Sequence, residues 1–328
     1  MRMVFYIYFL VSYPTIHRHQ IFLKFLFKEH GVLCSGSTLS MLLLSCSAMF
    51  PQHFTSYDGL KLRSREYKPE SGKPPAARVI IVHGLGDHSG SLPYQNLSSY
   101  LVRKRYSTYL FDLRGHGESE GMRMYTQAWS DIRMDVKAFV NLVRAVSGSS
   151  ESVYLIGLSL GGLIALNYAE VYPEDLHGVV AAAPAVDASG VPALTKIIVP
   201  LLAAVAPRIS INPGLNLSNI SRNQEAVAEY TRDTNFQTQT TPRLAAEILT
   251  AMAETQEKCS MLRIPILILH GAEDTIVLPE GSLQFFTRIP TPDKHRIVYE
   301  KTFHNLFLEP NREQIFQNIV HWLQVRQQ

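Results

Sequence analysis

Apolar residues along the chain fall into short unbroken runs separated by longer stretches of helical period. The runs at 78–83, 107–112, 153–157, 178–183, 264–270 and 296–300 are rich in β-branched residues. Uninterrupted runs of this kind suit strands buried on both faces of a parallel sheet. Between them, 94–104, 128–145, 161–172 and 241–257 return apolar positions every three or four residues, and 312–325 closes the chain in the same way. Strand and helix in alternation predict an α/β fold, a mostly parallel central sheet with helices on both faces. Ahead of the first run, 55–62 alternates about Asp58-Gly59, a strong local signal for a two-stranded hairpin.

The alternation lapses between about 186 and 262, an interval too long for a simple loop. It reads as a largely helical insertion, a cap folded over the C-terminal edge of the sheet. Its first part, 192–207, is apolar nearly all round. A helix of that kind needs cover on most of its faces, from the rest of the cap, another protein, lipid or an apolar ligand.

With 328 residues, 46% hydrophobic and 18% charged, the chain is long enough for one large core plus such a cap. Residues 49–328 are expected to form this domain, and 1–48 to be an extension outside it. The extension holds four basic residues and one acid, leaving 27 basic against 27 acidic residues in the body. That balance gives no footprint for nucleic acid, which needs clustered uncompensated Lys and Arg. Its apolar stretches, 3–11, 21–27 and 41–44, fall short of the roughly 18 to 20 residues of a spanning helix. Arg2 and the nine apolar residues after it resemble a short signal peptide, but Ser12-Tyr13-Pro14 is no small-residue cleavage site. Leu43-Leu44-Ser45-Cys46 is similar to a lipoprotein acylation site with too short an apolar run. Two of the three cysteines lie here, so the body keeps only Cys259 and no disulfide framework, as a reducing compartment would allow. The expected location is cytoplasmic, with weak peripheral membrane contact through the cap as a further expectation.

The most specific chemical signal is Gly157-Leu158-Ser159-Leu160-Gly161, between a buried strand and a helix. This is the context of a nucleophile elbow, where small flanking residues let helix and strands close on a strained turn. A serine hydroxyl needs a base, and the base an orienting acid. In chain order serine, acid, histidine, the acid is Asp274, 115 residues on and just past a predicted strand, with its neighbour Glu273 the weaker choice. Beyond it stand His295, His304 and His321. His295 enters a strand and His321 lies in the last helix, whereas His304 sits in a loop past the last strand. Backbone N–H groups of Leu85, in His83-Gly84-Leu85-Gly86, and of Leu160 are the expected oxyanion donors. Asp112, Arg114 and His116 are assigned to loop support. No His and Cys spacing resembles a zinc site, and neither metal nor cofactor is expected.

Five motifs in order, His83-Gly-Leu-Gly-Asp-His-Ser-Gly90, Asp112-Leu-Arg-Gly-His-Gly-Glu-Ser-Glu-Gly121, Gly157-Leu-Ser-Leu-Gly-Gly162, His270-Gly-Ala-Glu-Asp274 and His304-Asn-Leu-Phe-Leu-Glu-Pro310, run from the hairpin to the C-terminus. Together they resemble the monoacylglycerol lipase and lysophospholipase branch of the α/β-hydrolases, also labelled the serine aminopeptidase family. The resemblance implies a triad of Ser159, Asp274 and His304, an oxyanion hole at Leu85 and Leu160, and a lipid ester substrate. Leu158 and Leu160 stand where His and Met are frequent, Asn305 where an acid is common, and Asp233-Thr-Asn where Asp-Pro-Leu is expected. These departures leave the chemistry intact and bear on substrate choice. An aminopeptidase or amidase would need a cap carboxylate for the substrate ammonium, for which Glu225, Glu229 and Asp233 are available. A non-catalytic binding protein would have lost a triad member, and none is lost.

Overall fold

The β-branched runs pair into one eight-stranded sheet, seen in a computed structural model that describes residues 50–70, 75–146, 152–214 and 216–327. The expectations for 1–48 lie outside the described residues. In chain order the elements are β1 (His53–Thr55), β2 (Lys61–Tyr67), β3 (Arg78–Val82), α1 (Leu92–Arg103), β4 (Ser107–Phe111), α2 (Trp129–Ala145), β5 (Val153–Leu158), α3 (Leu160–Val171) and β6 (Gly178–Ala182). There follow α4 (Ala193–Val205), α5 (Gln224–Thr231), α6 (Pro242–Lys258), β7 (Ile266–Gly271), α7 (Pro279–Arg288), β8 (Lys294–Tyr299) and α8 (Arg312–Val325).

The strand order is β1-β2-β4-β3-β5-β6-β7-β8, with β2 antiparallel to both neighbours and the other pairs parallel. The predicted hairpin forms β1 and β2, and Gly59 takes the positive φ of its turn (+93°). Parallel pairing sets Val82 opposite Gly157, and Leu158 opposite Ala182. The strands therefore end together, and the loops after β3, β5 and β7 gather at one edge, where ligands bind in open α/β sheets.

Alternate residues of the central strands feed two cores. Ile80, Val82 and Leu155 pack with Phe139 and Val140 of α2 and Leu163 of α3 on one face. Val79, Ile81 and Ile156 pack with Leu97 and Leu101 of α1 and Phe316 and Trp322 of α8 on the other. Burying each large side chain is worth about 1.5–3 kcal/mol, and the stretches 79–82 and 153–158 that feed both cores contain no charge. Two departures from the sequence reading have local causes. β7 begins at Ile266 rather than 264 because Pro265 has no amide hydrogen for the ladder, its carbonyl instead accepting from Val179 N at 3.0 Å. α7 was not anticipated, since its buried positions, Gly281, Ser282 and Phe285, include one apolar side chain only and make no stripe.

The interval between β6 and β7 is helical. Asn223 caps α5 by accepting from Ala226 N at 3.1 Å, and Thr241 caps α6 by accepting from Leu244 N at 3.3 Å. α4 has cover on one face only. Val199 and Ala203 are buried, while Leu194, Ile197 and Leu201 are each more than 60% exposed.

Glu170 on α3 is buried, with one carboxylate oxygen 3.5 Å from Asn167 Nδ2 and the other without a hydrogen-bond partner among the described residues. Burial raises its pKa to about 8; Lys258 and Arg133 act to lower it and Glu254 to raise it. The folded protein thus holds a proton that the unfolded chain releases near 4.5, so this group's contribution is full below that pH and lost as pH rises to about 8. Glu170→Gln is expected to stabilise the protein at pH 9, by an amount on the order of a few kcal/mol, and to change little at pH 4.5. Urea unfolding midpoints at the two pH values measure the difference.

Candidate active site

At the end of β5 the chain turns sharply into α3, and Ser159 occupies the turn with φ +58° and ψ −116°. Few non-glycine residues tolerate that conformation, so neighbouring packing must impose it. A Cβ at Gly157 would lie 2.0 Å from Gly161 O, and one at Gly161 would lie 2.1 Å from Val82 O. Only glycine at both places lets α3 start against the ends of β3 and β5. Ser159 N–H donates to Ala182 O at 2.9 Å, tying the turn to β6 as well.

Asp274 follows β7 and is buried, while its neighbour Glu273 is exposed. One carboxylate oxygen, Oδ1, accepts from the backbone N–H groups of Ile276 and Val277 at 2.9 and 3.0 Å. The other, Oδ2, faces His304 Nδ1 at 2.7 Å and His270 Nε2 at 3.2 Å. Burial alone would push the Asp274 carboxyl up. His304 opposite it, with hydrogen bonds from His270, His304 and Val277 N–H, outweighs burial and holds it well below the usual carboxylate range. Asp274 therefore stays ionised and keeps the His304 proton on Nδ1. Nε2 is then free to accept from Ser159 Oγ, 2.9 Å away. This is the geometry of a serine nucleophile with its general base and orienting acid. His295 and His321 are both exposed, away from this line.

Leu85 and Leu160, the expected oxyanion donors, line the same cavity as Ser159 and His304. Gly84 N–H donates to Tyr94 Oη at 2.8 Å, which fixes the loop ahead of Leu85. The Asp112 segment backs this loop: Asp112 accepts from Ser89 N at 2.7 Å and Glu118 N at 2.8 Å. Arg114 forms a two-pronged pair with Asp135 at 2.6 and 2.7 Å, and His116 lies against His83 with ring centroids 5.3 Å apart. Burial, reinforced by neighbouring His116, lowers the His83 pKa to about 3 and keeps the ring neutral, accepting Leu113 N–H at 2.9 Å.

The sequence matches the family described as serine aminopeptidase, S33, over residues 73–311. The chain belongs to that family. As an S33-family hydrolase it is 26% identical over 272 residues to a monoacylglycerol lipase of Mycolicibacterium smegmatis, covering 82% of this chain and 95% of the relative. It is 30% identical over 260 residues to the monoglyceride lipase of Rattus norvegicus, covering 78% and 84%. The crystal structure of a monoacylglycerol lipase of Paleococcus ferrophilus superposes with a TM-score of 0.73 at 29% identity, covering 81% of this chain and 99% of that one.

In this S33 member the cap reaches down to the loops that carry the chemistry. Gln237 N–H donates to Gly86 O at 2.7 Å, Tyr230 Oη to Asp87 Oδ2 at 2.8 Å, and His88 Nε2 faces Asp233 Oδ2 at 2.8 Å. Gly86 has φ +73°, and a Cβ there would meet Gln237 O at 2.0 Å, so the close approach requires glycine. The His304 loop is tied in the same manner: Asn305 N–H donates to Ile220 O at 2.7 Å. Buried Glu309 accepts from Arg222 N and Nε at 2.9 and 2.8 Å, and from Phe303 N at 3.3 Å. None of these pairs was foreseen from sequence. Glu309 stood within a recognised motif, but no local signal names a partner 87 residues away. Glu225 and Glu229 lie on the exposed side of α5, and neither they nor Asp233 line the cavity.

Asp274→Asn is expected to lower kcat by about four orders of magnitude, because the amide favours the wrong His304 tautomer, and Ser159→Ala by at least as much. Unchanged circular dichroism should accompany both. Arg222→Met leaves Glu309 partly unpaired beside Phe303 and should lower kcat by roughly tenfold with a smaller change in KM, measured on any ester turned over.

Proposed function

We propose that the protein hydrolyses the carboxylic ester of monoacylglycerol or lysophospholipid-type lipids through an acyl-enzyme on Ser159. The observation that carries the reading is the space above the Ser159–His304 pair. It is a cavity of about 400 Å³, in the range of small-molecule sites, and its walls are mostly aliphatic. Leu158, Ala185, Val191, Val199, Ile248 and Met252 are among them. At about 0.8 kcal/mol per methylene, a dozen acyl carbons would contribute on the order of 10 kcal/mol before entropic costs. The lipase names of the relatives at 26% and 30% identity support the same substrate class.

In this reading Ser159 Oγ attacks the ester carbonyl as its proton passes to His304 Nε2. Leu85 and Leu160 N–H groups stabilise the oxyanion, Asp274 the imidazolium. The carbon–alkoxy bond breaks and His304 protonates the departing alcohol. Water, deprotonated by His304, then releases the fatty acid and restores Ser159. Peptidase or amidase activity is the weaker alternative. Asp87 is the carboxylate that lines the cavity, and it already accepts from Tyr230 Oη and its own neighbour's amide, His88 N–H at 2.8 Å. Burial raises its pKa, which disfavours the charge that a substrate ammonium would need.

The exposed aliphatic face of α4 supports peripheral contact of the cap with lipid. No helix among the described residues is long and apolar enough to cross a membrane. Cys259, the free buried cysteine of the described residues, is consistent with the cytoplasmic location included in this proposal.

A panel of p-nitrophenyl esters from acetyl to palmitoyl, monoacylglycerol, lysophosphatidylcholine and aminoacyl anilides, run beside Ser159→Ala, tests the function. Turnover of longer esters that vanishes in the variant is expected; cleavage of anilides alone would overturn it. Leu194→Glu with Leu201→Glu should reduce co-sedimentation with liposomes and leave turnover of acetyl ester unchanged.

A further inference from the structure

Strand β7 carries one polar side chain into the core. All of Ile266-Leu267-Ile268-Leu269-His270-Gly271 is buried, and His270 is wholly enclosed at 0% exposure. An aliphatic side chain would fill that position without penalty, whereas a buried imidazole costs stability unless its nitrogens are paired. One of them is not: Nδ1 has no hydrogen-bond partner among the described residues. The ring therefore acts through Nε2, which lies 2.9 Å from Val277 O and 3.2 Å from Asp274 Oδ2. A carbonyl and an ionised carboxylate can only accept, so Nε2 carries the proton.

These two contacts enclose the triad acid. Asp274 Oδ1 accepts from Ile276 N and Val277 N at 2.9 and 3.0 Å, so the chain from 274 to 277 turns back over the carboxylate. The carbonyl at the end of that turn is the one that accepts His270 Nε2–H. The strand leading into Asp274 thereby also holds the residue three places after it. Oδ2 in turn meets two N–H groups, the Nδ1–H of His304 at 2.7 Å and the Nε2–H of His270 at 3.2 Å. The partial positive charge of the second opposes any turning of the carboxylate away from the first. His270 is not among the residues lining the cavity, so it acts on the reaction through Asp274.

We infer that His270 is a positioning residue of the triad, whose Nε2–H holds the 274–277 turn closed and keeps Asp274 Oδ2 facing His304 Nδ1. The inference rests on Ser159 being the nucleophile of the hydrolase reading above, and not on which ester is cleaved.

The test is the rate at which a fluorophosphonate probe modifies Ser159: Oγ bonds to phosphorus, fluoride leaves, and His304 takes the serine proton. The probe needs an activated serine and no particular ester. His270→Leu should lower the rate constant about tenfold, since small displacements of reacting groups carry losses of that order or more. His270→Gln sets an amide nitrogen the same number of bonds from Cβ as Nε2 and should restore the wild-type rate. His270→Asn, one bond shorter, should not restore it, and it replaces the leucine variant if that fails to fold. With Asp274→Asn already present, His270→Leu should add no further loss. The low-field proton resonance of the Asp274–His304 hydrogen bond should move in His270→Leu and return in His270→Gln. A wild-type rate in the leucine and asparagine variants would overturn the inference. So would a loss that glutamine does not restore, one that persists in full beside Asp274→Asn, or an unmoved resonance. If wild-type protein reacts with the probe but hydrolyses no carboxylic ester, the substrate reading falls and this inference stands; if it does not react with the probe, both fall.

Discussion

The contact of Gly157 with Gly161, beneath the end of β3, is the constraint on which the site depends. With 2.0 Å between a would-be Cβ at 157 and Gly161 O, no side chain fits, and α3 begins where β5 ends. Ser159 is thereby held at a positive φ that its own preferences oppose. Two consequences follow from this strain. The Ser159 side chain stands at the sheet edge, and Leu160, in the first turn of α3, lines the same cavity. The cost is met by the two cores, whose central strands are buried throughout.

Parallel pairing then delivers the other parts. The loops after β3 and β7 open at the same edge because their strands end in register with β5 and β6. The loop after β3 and the loop after β8, which carries His304, both draw support from the cap. The loop after β3 is tied to the cap through Gly86, Asp87 and His88, and the His304 loop through Asn305 and Glu309. Cap and reacting groups are thus one mechanical unit, although the cap also forms the aliphatic walls.

The electrostatics are arranged in the same economy. Asp274 is buried yet ionised because three hydrogen bonds converge on it and His270, from the strand that carries it, stands 3.2 Å away. His83 and His116 are buried without charge, so the ring nitrogen of His83 can accept a backbone N–H and hold the Asp112 segment behind the loop after β3. The two histidines behind the loop after β3 are thus neutral, whereas the Asp274 carboxylate beside His304 is ionised.

Local chemistry made much of this legible in the sequence. β-branched runs and a Gly-x-Ser-x-Gly turn between strand and helix depend on neighbours in the chain, so the α/β sheet, Ser159 and the order of its partners Asp274 and His304 could be read directly. α7 escaped because small buried residues leave no periodic trace, and the exposed face of α4 escaped because composition says that a helix is apolar without saying which sides are covered. The ties from Arg222, Tyr230, Asp233 and Gln237 were decided by tertiary structure alone. Their partners lie from 87 to 151 positions away, and only the closing of the cap on the sheet edge brings such groups together.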